Sequence, residues 1–355
     1  MRLPKALLGG VLIAALLIPL YAQAQWQFHA NGPLPPVPVP FDNPITDAKI
    51  RLGKQLYFEG RLSSDGTISC ASCHDPKRAW ADTGHAVSEG VAHQLGGRNS
   101  PSIINAAYII PQFWDGRAVQ LEKQAVGPPL NPIEMDLTKE ELEFRMNNLP
   151  GYVTQFQEVF GSTPTIDLVA KAIATFERTI IVNDTPYDRY LAGDGKAMSK
   201  DALEGMAVFN GKGHCSACHS GPAFSDSRYH NLGVGYADGK FKDVGRFEVT
   251  KDPRDMGAFL TQKLRVVEHT PPYMHDGSEQ TLMDVIDFYK RGGNLNPNLD
   301  PVMMPLSLTQ MEKMQLLAFL GSLNGPYPVV EPPPLPNPEI TAQDLRVRFK
   351  GGGSQ

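Results

Sequence analysis

Apolar residues recur every three or four positions in several segments of the chain, the spacing that lines one face of an α-helix. No strand-rich region appears, so the pattern predicts a mostly α-helical protein. One predicted helix runs from about Ile45 to Tyr57, with Thr46 or Asp47 near its N-terminal cap. The other predicted helices are 138–147, 166–181, 199–209, 281–290 and 308–322.

Long loops separate these helices, because the 355 residues include 33 glycines and 31 prolines, and 183–194 is a turn-rich connection. The order of a helix, a cysteine-containing motif, loops and further helices occurs twice. This order predicts two loop-rich domains between a Pro-rich N-terminal arm and a Pro-rich, flexible C-terminal tail. The predicted limits are 25–43 for the arm, 44–190 and 191–328 for the domains, and 329–355 for the tail.

The first 24 residues have the three parts of a signal peptide. Arg2 and Lys5 supply positive charge, 6–20 is apolar, and Ala-Gln-Ala at 22–24 is a small-residue cleavage site. The alternative is an uncleaved membrane anchor, but the apolar run is shorter than the ~20 residues of a spanning helix. We therefore expect cleavage near Ala24, a periplasmic location and no membrane span in the mature chain.

The net charge argues against a nucleic-acid partner. The formal charge is −5, and the lysines and arginines are scattered along the sequence instead of forming a basic patch.

All four cysteines fall in two CxxCH motifs, which is the attachment pattern of c-type haem. The motifs comprise Cys70, Cys73 and His74, and Cys215, Cys218 and His219. Two local disulfides or a shared zinc site are the alternatives. With nine histidines in 355 residues, chance does not account for a histidine directly after both CxxC pairs. We therefore expect two covalent haems, each with one histidine as an axial iron ligand. Haem also supplies the cohesion that a loop-rich chain lacks.

The sequence by itself gives each iron only one ligand. Electron-transfer haems carry two protein ligands, whereas a haem that activates peroxide keeps one side open. Candidates for a second ligand are Met274, Met303, Met304, Tyr273, Tyr289, His230, His269 and His275. Tyr289 shares a predicted helix with Val285, Ile286 and Phe288, so simple core packing is its alternative role.

Several segments of 44–325 resemble the bacterial di-haem cytochrome c peroxidase and MauG family, and they stand in the order of that family. These segments include LYFEGRLSSDGTISCASCHDP, GRNSPSIINAAY, QFWDGRAVQLEKQA, NPIEM, YDRYLAGD, YHNLG and PPYMHDGSEQTLMDVIDFYKRGG. The resemblance implies two cytochrome c-like helical domains with one haem in each. A tryptophan and a calcium site lie between the haems in such proteins.

The resemblance also implies roles for individual residues. His74 corresponds to the proximal ligand of the peroxide-reactive haem, and His219 to that of the electron-transfer haem. Trp114 matches the tryptophan between the haems. The remaining matches are Gln124 and Glu134, in the polar pocket over the open iron, and Asn99 with the carbonyls of Thr270 and Pro272, at the calcium site.

Some of these residues have an ordinary structural role as the alternative to a functional one. Trp114 is alternatively an ordinary core aromatic, and Glu134 a solvated acid near a helix start. We expect His230 and His275 to bind haem propionates or backbone, and Met274 to lie in the core.

Tyr289 falls where cytochrome c peroxidases place a ligand methionine and MauG-like enzymes a ligand tyrosine. A phenolate lowers the reduction potential of a haem and stabilises its ferric and higher states. The resemblance therefore implies an exported enzyme that uses hydrogen peroxide, through a bis-Fe(IV) state, to oxidise an aromatic residue of a partner protein. The alternatives are a peroxidase that takes electrons from a small cytochrome c, and a di-haem electron carrier without enzymatic activity.

Two departures from the family pattern bear on this choice. His85 and His93 lie near the position of a histidine that caps the resting haem in some peroxidases, but neither keeps its spacing to the Arg-Asn pair that follows. We therefore expect an open first haem without prior reduction. No aromatic residue stands in the GKGHC stretch before the second motif, where MauG has a tryptophan, which argues against methylamine dehydrogenase as the partner.

Overall fold

The computed structural model describes residues 32–351, so the predicted signal peptide and the first part of the arm lie outside the described residues. Within this range the protein is mostly helical and rich in loops. The α-helices are α1 (Asp47–Tyr57), α2 (Cys70–Cys73), α3 (Leu121–Gln124), α4 (Gly127–Leu130), α5 (Lys139–Asn147), α6 (Pro150–Phe160), α7 (Ile166–Glu177), α8 (Pro186–Leu191), α9 (Lys200–Asn210), α10 (Phe247–Thr250), α11 (Leu282–Lys290), α12 (Gln310–Gly321) and α13 (Ala342–Gly351). Short 3-10 helices cover Gly60–Leu62, Pro76–Arg78, Val91–His93, Ala106–Tyr108, Cys215–Ala217, Pro253–Asp255 and Val267–His269.

The strands of the described residues have two residues each and form two antiparallel pairs, β1 with β4 and β2 with β3. They are β1 (Tyr229–His230), β2 (Tyr236–Ala237), β3 (Lys240–Phe241) and β4 (Phe259–Leu260).

The predicted helices are confirmed, with small shifts at their ends. Helix α1 begins after Thr46, whose side chain accepts a hydrogen bond from the Lys49 amide, as expected of an N-cap. Helix α7 ends at Glu177, four residues before its predicted end. Helix α11 and helix α12 start one and two residues late, because Thr281 and Thr309 act as N-caps.

Two predictions about irregular segments are wrong. The turn-rich segment 183–194 contains helix α8, which a capping box between Thr185 and Asp188 starts. The C-terminal tail was expected to be extended and flexible, but its residues 342–351 form helix α13. The Phe349 ring of this helix packs against Phe144 of α5 with centroids 5.3 Å apart. The last four residues lie outside the described range.

The first half of the chain has a hydrophobic core where α1 crosses α7. Gly53 makes the close crossing possible, since a Cβ added there would lie 2.0 Å from the Ala172 carbonyl oxygen. Next to this contact the rings of Tyr57, Trp80 and Phe176 pack against one another with centroids 5.3–5.9 Å apart. The first CxxCH motif follows α1 and is held against this core.

The second half repeats the arrangement, with α9 packed against α12. A Cβ added to Gly205 would lie 1.8 Å from the Gln315 carbonyl oxygen, so the two helix backbones again meet at a glycine. The rings of Phe209 and Phe319 pack beside this crossing with centroids 5.0 Å apart. A second hydrophobic cluster, formed by buried residues between 187 and 323, surrounds them.

The two halves meet along 98–116 and 243–265. The Arg98 guanidinium binds the Asp243 carboxylate with an Nε–Oδ2 distance of 2.6 Å, and the Leu260 amide donates to the Trp114 carbonyl at 2.8 Å. The tail then returns from the second half to the first, where Trp80 Nε1 donates to the Pro328 carbonyl at 2.7 Å. Hydrogen bonds and an ion pair therefore connect the two halves of the chain.

Among the helices of residues 32–351, none has the length and apolar character that crossing a bilayer requires.

Candidate functional site

The first CxxCH motif lines a cavity of about 550 Å³ in the first half of the chain, here called cavity 1. Cys70 and Cys73 lie at the two ends of the one-turn helix α2, and the His74 amide donates to the Cys70 carbonyl at 3.0 Å. The Tyr57 hydroxyl of α1 donates to the His74 carbonyl at 2.6 Å. The N-terminal helix therefore fixes the backbone of the motif against the core.

The His74 side chain suits a metal ligand. Burial lowers its pKa to about 4, so the imidazole is neutral near pH 7 and keeps a lone pair. Its Nδ1 is buried and has no hydrogen-bond partner among the described residues. Two thiols beside a neutral, buried imidazole fit the attachment of haem.

Gln124 and Glu134, the two predicted pocket residues, also line cavity 1. Gln124 is the last residue of α3, and Glu134 follows a turn in which Asn131 Nδ2 donates to its Oε1 at 2.7 Å. Burial raises the pKa of the Glu134 carboxyl, although the Asn131 hydrogen bond opposes this effect. The structure thus brings a proton-accepting carboxyl and an amide to the same cavity as His74.

Glu177, which was not predicted as a site residue, also lines cavity 1. It is 5% exposed, and its Oε2 has no hydrogen-bond partner among the described residues. Burial raises its pKa to about 8, with a further contribution from Glu122 and an opposing one from Arg178. The one sequence signal was an acid four positions after Ile173 on the apolar face of α7.

The second CxxCH motif lines a smaller cavity of about 230 Å³, here called cavity 2. The Nδ1 atom of His219 lies 3.0 Å from the Phe224 carbonyl oxygen. A proton on Nδ1 satisfies this carbonyl and leaves the lone pair on Nε2, the usual arrangement of a histidine that binds a metal.

Tyr289 lies in the last turn of α11 and also lines cavity 2. No described residue makes a hydrogen bond to its hydroxyl, and burial, with a smaller effect of the Cys218 and Cys215 thiols, raises its pKa above the usual value for tyrosine. A buried phenol without a partner fits a ligand that loses its proton when it binds iron. Met303 and Met304 line the same cavity.

The hydrogen bonds of His230 leave it no lone pair for iron. His230 Nδ1 lies 2.6 Å from Asp300 Oδ2, and Nε2 lies 2.9 Å from Asp226 Oδ2. Interactions with Asp226, then with the Cys218 thiol and with Asp300, raise its pKa to about 11, which favours the cationic imidazole. The ligand atoms of Cys218, Asp226 and His230 lie within 4.8 Å of one another, but Cys218 belongs to the haem motif.

Other candidate ligands also have partners elsewhere. His275 is stacked on Phe259 with ring centroids 3.6 Å apart. The Tyr273 hydroxyl donates to the Val267 carbonyl at 3.1 Å. His269 packs beside Tyr327 and is absent from the cavity walls described above. These contacts leave Tyr289 and three methionines of cavity 2 as the side chains that suit the second iron. The methionines are Met274, which is partly exposed and not in the core as expected, Met303 and Met304.

Trp114 lines both cavities. Its indole Nε1 donates to the Asn99 carbonyl at 2.8 Å, and the Asn99 amide donates to the His275 carbonyl at 2.7 Å. Thr270 and Pro272, the other predicted calcium residues, lie with Asn99 along cavity 2. Trp114 and Asn99 therefore lie in the wall that the two cavities share, whereas Thr270 and Pro272 line cavity 2 alone.

His85 and His93 lie outside the wall of cavity 1. His85 Nδ1 lies 2.7 Å from Asp82 Oδ1, and His93 pairs with Glu89 on the surface, where its side chain is 90% exposed. The expectation of an open first haem stays a prediction.

A CxxCH motif that lines each of two adjoining cavities, with Trp114 in both walls, is typical of a haem-dependent oxidoreductase with two cofactor sites. Comparison with known proteins supports this class. The family model of the di-haem cytochrome c peroxidases matches residues 47–196.

Related proteins match most of the chain. A cytochrome-c peroxidase named IdrP1, from Denitromonas iodatirespirans, is 39% identical over 339 residues, which cover 87% of this chain and 90% of the relative. The methylamine utilization protein MauG of Methylorubrum extorquens is 38% identical over 303 residues, covering 84% of this chain and 85% of the relative. A crystal structure of a MauG-like protein associated with microbial copper homeostasis has a TM-score of 0.77 and 32% identity, covering 84% of this chain and 95% of that one.

The chain therefore belongs to the di-haem cytochrome c peroxidase family. It is a haem-dependent, peroxidase-type oxidoreductase that acts on peroxide.

Proposed function

We propose that this protein is a MauG-like enzyme that uses hydrogen peroxide to oxidise an aromatic side chain of an exported partner protein. The observation that carries the proposal is the Tyr289 hydroxyl, which lines cavity 2 beside the second CxxCH motif and has no hydrogen-bond partner among the described residues. A phenolate ligand favours oxidised iron, whereas a thioether favours reduced iron.

In this proposal Cys70, Cys73 and His74 hold one covalent haem in cavity 1, and Cys215, Cys218, His219 and Tyr289 hold the other in cavity 2. Bound haem supplies the redox chemistry with peroxide and stores oxidising equivalents. Two electrons and two protons convert hydrogen peroxide into two waters, and the electrons come from the aromatic side chain of the partner.

Residues of cavity 1 transfer the proton that the cleavage of hydrogen peroxide requires. Glu134 would accept a proton from one peroxide oxygen and return it to the other, so that water can leave. Burial raises the pKa of this carboxyl, so it holds a proton more readily than an exposed glutamate does. Gln124 lines the same cavity and provides an amide that orients peroxide.

Trp114 offers an aromatic path between the cavities, because its ring lines both of them and its N–H is fixed on the Asn99 carbonyl. We assign a calcium ion to Asn99 and the carbonyl oxygens of Thr270 and Pro272, since oxygen ligands suit this cation. The proposal places one haem in each of the domains 44–190 and 191–328, after export and signal cleavage near Ala24.

The reaction of the haem-loaded enzyme with peroxide tests the proposed function. The as-isolated protein is mixed with hydrogen peroxide, with and without a reduced small cytochrome c, and both haem spectra are followed. We expect rapid, persistent changes at both haems and little oxidation of the cytochrome. Steady turnover of the cytochrome at ordinary peroxidase rates would contradict the proposal.

Met303 and Met304 favour a second candidate function, because both line cavity 2 and a methionine thioether raises the potential of a haem. With either sulfur on the second iron, the protein would reduce hydrogen peroxide with electrons from a small cytochrome c. Substitution of Met303 and Met304 by leucine distinguishes the two functions. The MauG-like proposal expects unchanged ligation of the second haem, whereas the alternative expects its loss in one variant.

A further inference from the structure

Lys263 lies on the wall between the two cavities. It follows β4 by three residues and, like Trp114, lines both cavity 1 and cavity 2. Its ammonium group donates to the Ser102 carbonyl oxygen at 2.5 Å. This is its one hydrogen bond to the described residues, and none of their carboxylates forms an ion pair with it.

Two buried arginines of this chain have acidic partners. Arg178 binds Glu122 and Arg265 binds Asp188, with shortest N–O distances of 2.6 Å and 2.7 Å. Such pairing is the rule for buried charges, because an ion taken from water without a counter-ion is costly. Lys263 departs from this rule, and burial alone lowers its pKa to about 8.

A lysine that lines two cavities and has no acidic partner fits a site for an anionic part of the molecules that fill those cavities. The cysteine and histidine residues of both cavities fit haem, and haem carries two carboxylates on its propionate side chains. We infer that Lys263 binds a haem propionate at the shared wall and holds a positive charge beside Trp114.

This charge has a consequence for electron transfer. A cation near a haem disfavours the more positive ferric state and therefore raises the reduction potential. Lys263 acts here as a positioning and electrostatic residue that contacts the cofactor. The inference requires haem in the two cavities but not the MauG-like reaction, so it is tested without peroxide.

The midpoint potentials of the haem-loaded wild type and Lys263→Met, measured by spectroelectrochemistry, test the inference. Methionine has a similar length and no charge. At a fixed potential we expect the ferric-to-ferrous ratio of at least one haem to rise about tenfold, which is a shift of about 59 mV for one electron. Lys263→Arg keeps the charge and should stay near the wild type. Lys196→Met changes an exposed lysine that lines neither cavity, so it is the matched control and should leave both potentials unchanged.

The haem with the larger shift is the one whose propionate Lys263 binds. Ratios within twofold of the wild type at both haems of Lys263→Met would overturn the inference. If Lys263→Met does not take up haem, Lys263→Gln replaces it. Loss of haem in both uncharged variants but not in Lys263→Arg supports the inference, because it shows that the cation is required. Equal loss of haem in all three variants overturns it.

Discussion

The indole N–H of Trp114 donates to the Asn99 carbonyl oxygen at 2.8 Å, and this hydrogen bond holds the ring in the wall between the two haem cavities. The Asn99 backbone is itself fixed by its amide, which donates to the His275 carbonyl. A ring held in this way keeps one position relative to both CxxCH motifs. We propose that this fixed aromatic ring provides a path for electron transfer between the two cofactors.

Substitution of Trp114 by phenylalanine should slow the reaction that needs both haems by at least about tenfold, because phenylalanine is much harder to oxidise than tryptophan. The lost hydrogen bond should cost only about 0.5–1.5 kcal/mol of stability. Stopped-flow spectroscopy after mixing with peroxide measures the rate. Trp80→Phe is the matched control, since Trp80 also donates to a carbonyl but lies outside both cavity walls. Equal slowing in both variants would contradict a specific role for Trp114.

Glu134→Gln should lower the rate of reaction with peroxide by roughly 10²–10⁴-fold, the usual contribution of a positioned proton-transfer group. Burial raises the Glu134 pKa, so the carboxylate that accepts a proton forms only above the ordinary range for glutamate. In the wild type the rate should therefore rise with pH through this raised pKa. The variant should lose that rise, while Glu140→Gln on the surface of α5 should keep it. A pH profile shared by all three proteins would exclude Glu134 as the proton carrier.

Glu177 should make the stability of the folded protein depend on pH. Its pKa in the folded state is about 8, above the value of 4.5 expected in the unfolded chain, so the folded state holds the proton more tightly. Its contribution to stability is complete below pH 4.5 and is lost as pH rises towards 8, by at most about 5 kcal/mol. Urea unfolding of the haem-loaded protein at several pH values measures this loss. Glu177→Gln should remove it, whereas the exposed Glu158→Gln should not.

Gly205→Ala should destabilise the protein by roughly 1–3 kcal/mol or more, because the new Cβ would meet the Gln315 carbonyl at 1.8 Å and force α9 and α12 apart. Gly53→Ala should act similarly at the crossing of α1 and α7. Both costs exceed the gain of about 1 kcal/mol that alanine brings to a helix interior. Gly195→Ala has nothing within 4 Å of its Cβ and serves as the control in thermal unfolding. Equal melting temperatures for Gly205→Ala and Gly195→Ala would contradict a close backbone contact between α9 and α12.

Much of the fold could be predicted from local sequence signals. Helical spacing of apolar residues identified the helices that build both cores, and Thr46 marked the start of α1. Helix α8 was missed because its first residue is proline, which is tolerated at that position and also common in turns. Helix α13 was missed because its packing on α5 depends on a residue far away, Phe144, and not on its own weak apolar pattern.

Some residues of the candidate site could likewise be predicted from the sequence, and others could not. The cysteines and adjacent histidines follow a fixed spacing, so the sequence alone identified them. Lys263 gains its importance from its place in both cavity walls without an acidic partner, and Glu177 from burial and an unpaired Oε2. Only the folded chain creates these surroundings. No local pattern distinguishes such residues from an ordinary lysine or glutamate.

Ligation of the second iron by Tyr289 is the central claim, and electron paramagnetic resonance of the ferric, haem-loaded protein tests it most directly. The account predicts one high-spin signal from the open haem and one low-spin signal from the second haem, which Tyr289→Phe converts to high spin. Tyr273→Phe, which loses a hydroxyl in the same cavity that is bonded to the Val267 carbonyl, should keep both wild-type signals. An unchanged low-spin signal in Tyr289→Phe would contradict the account.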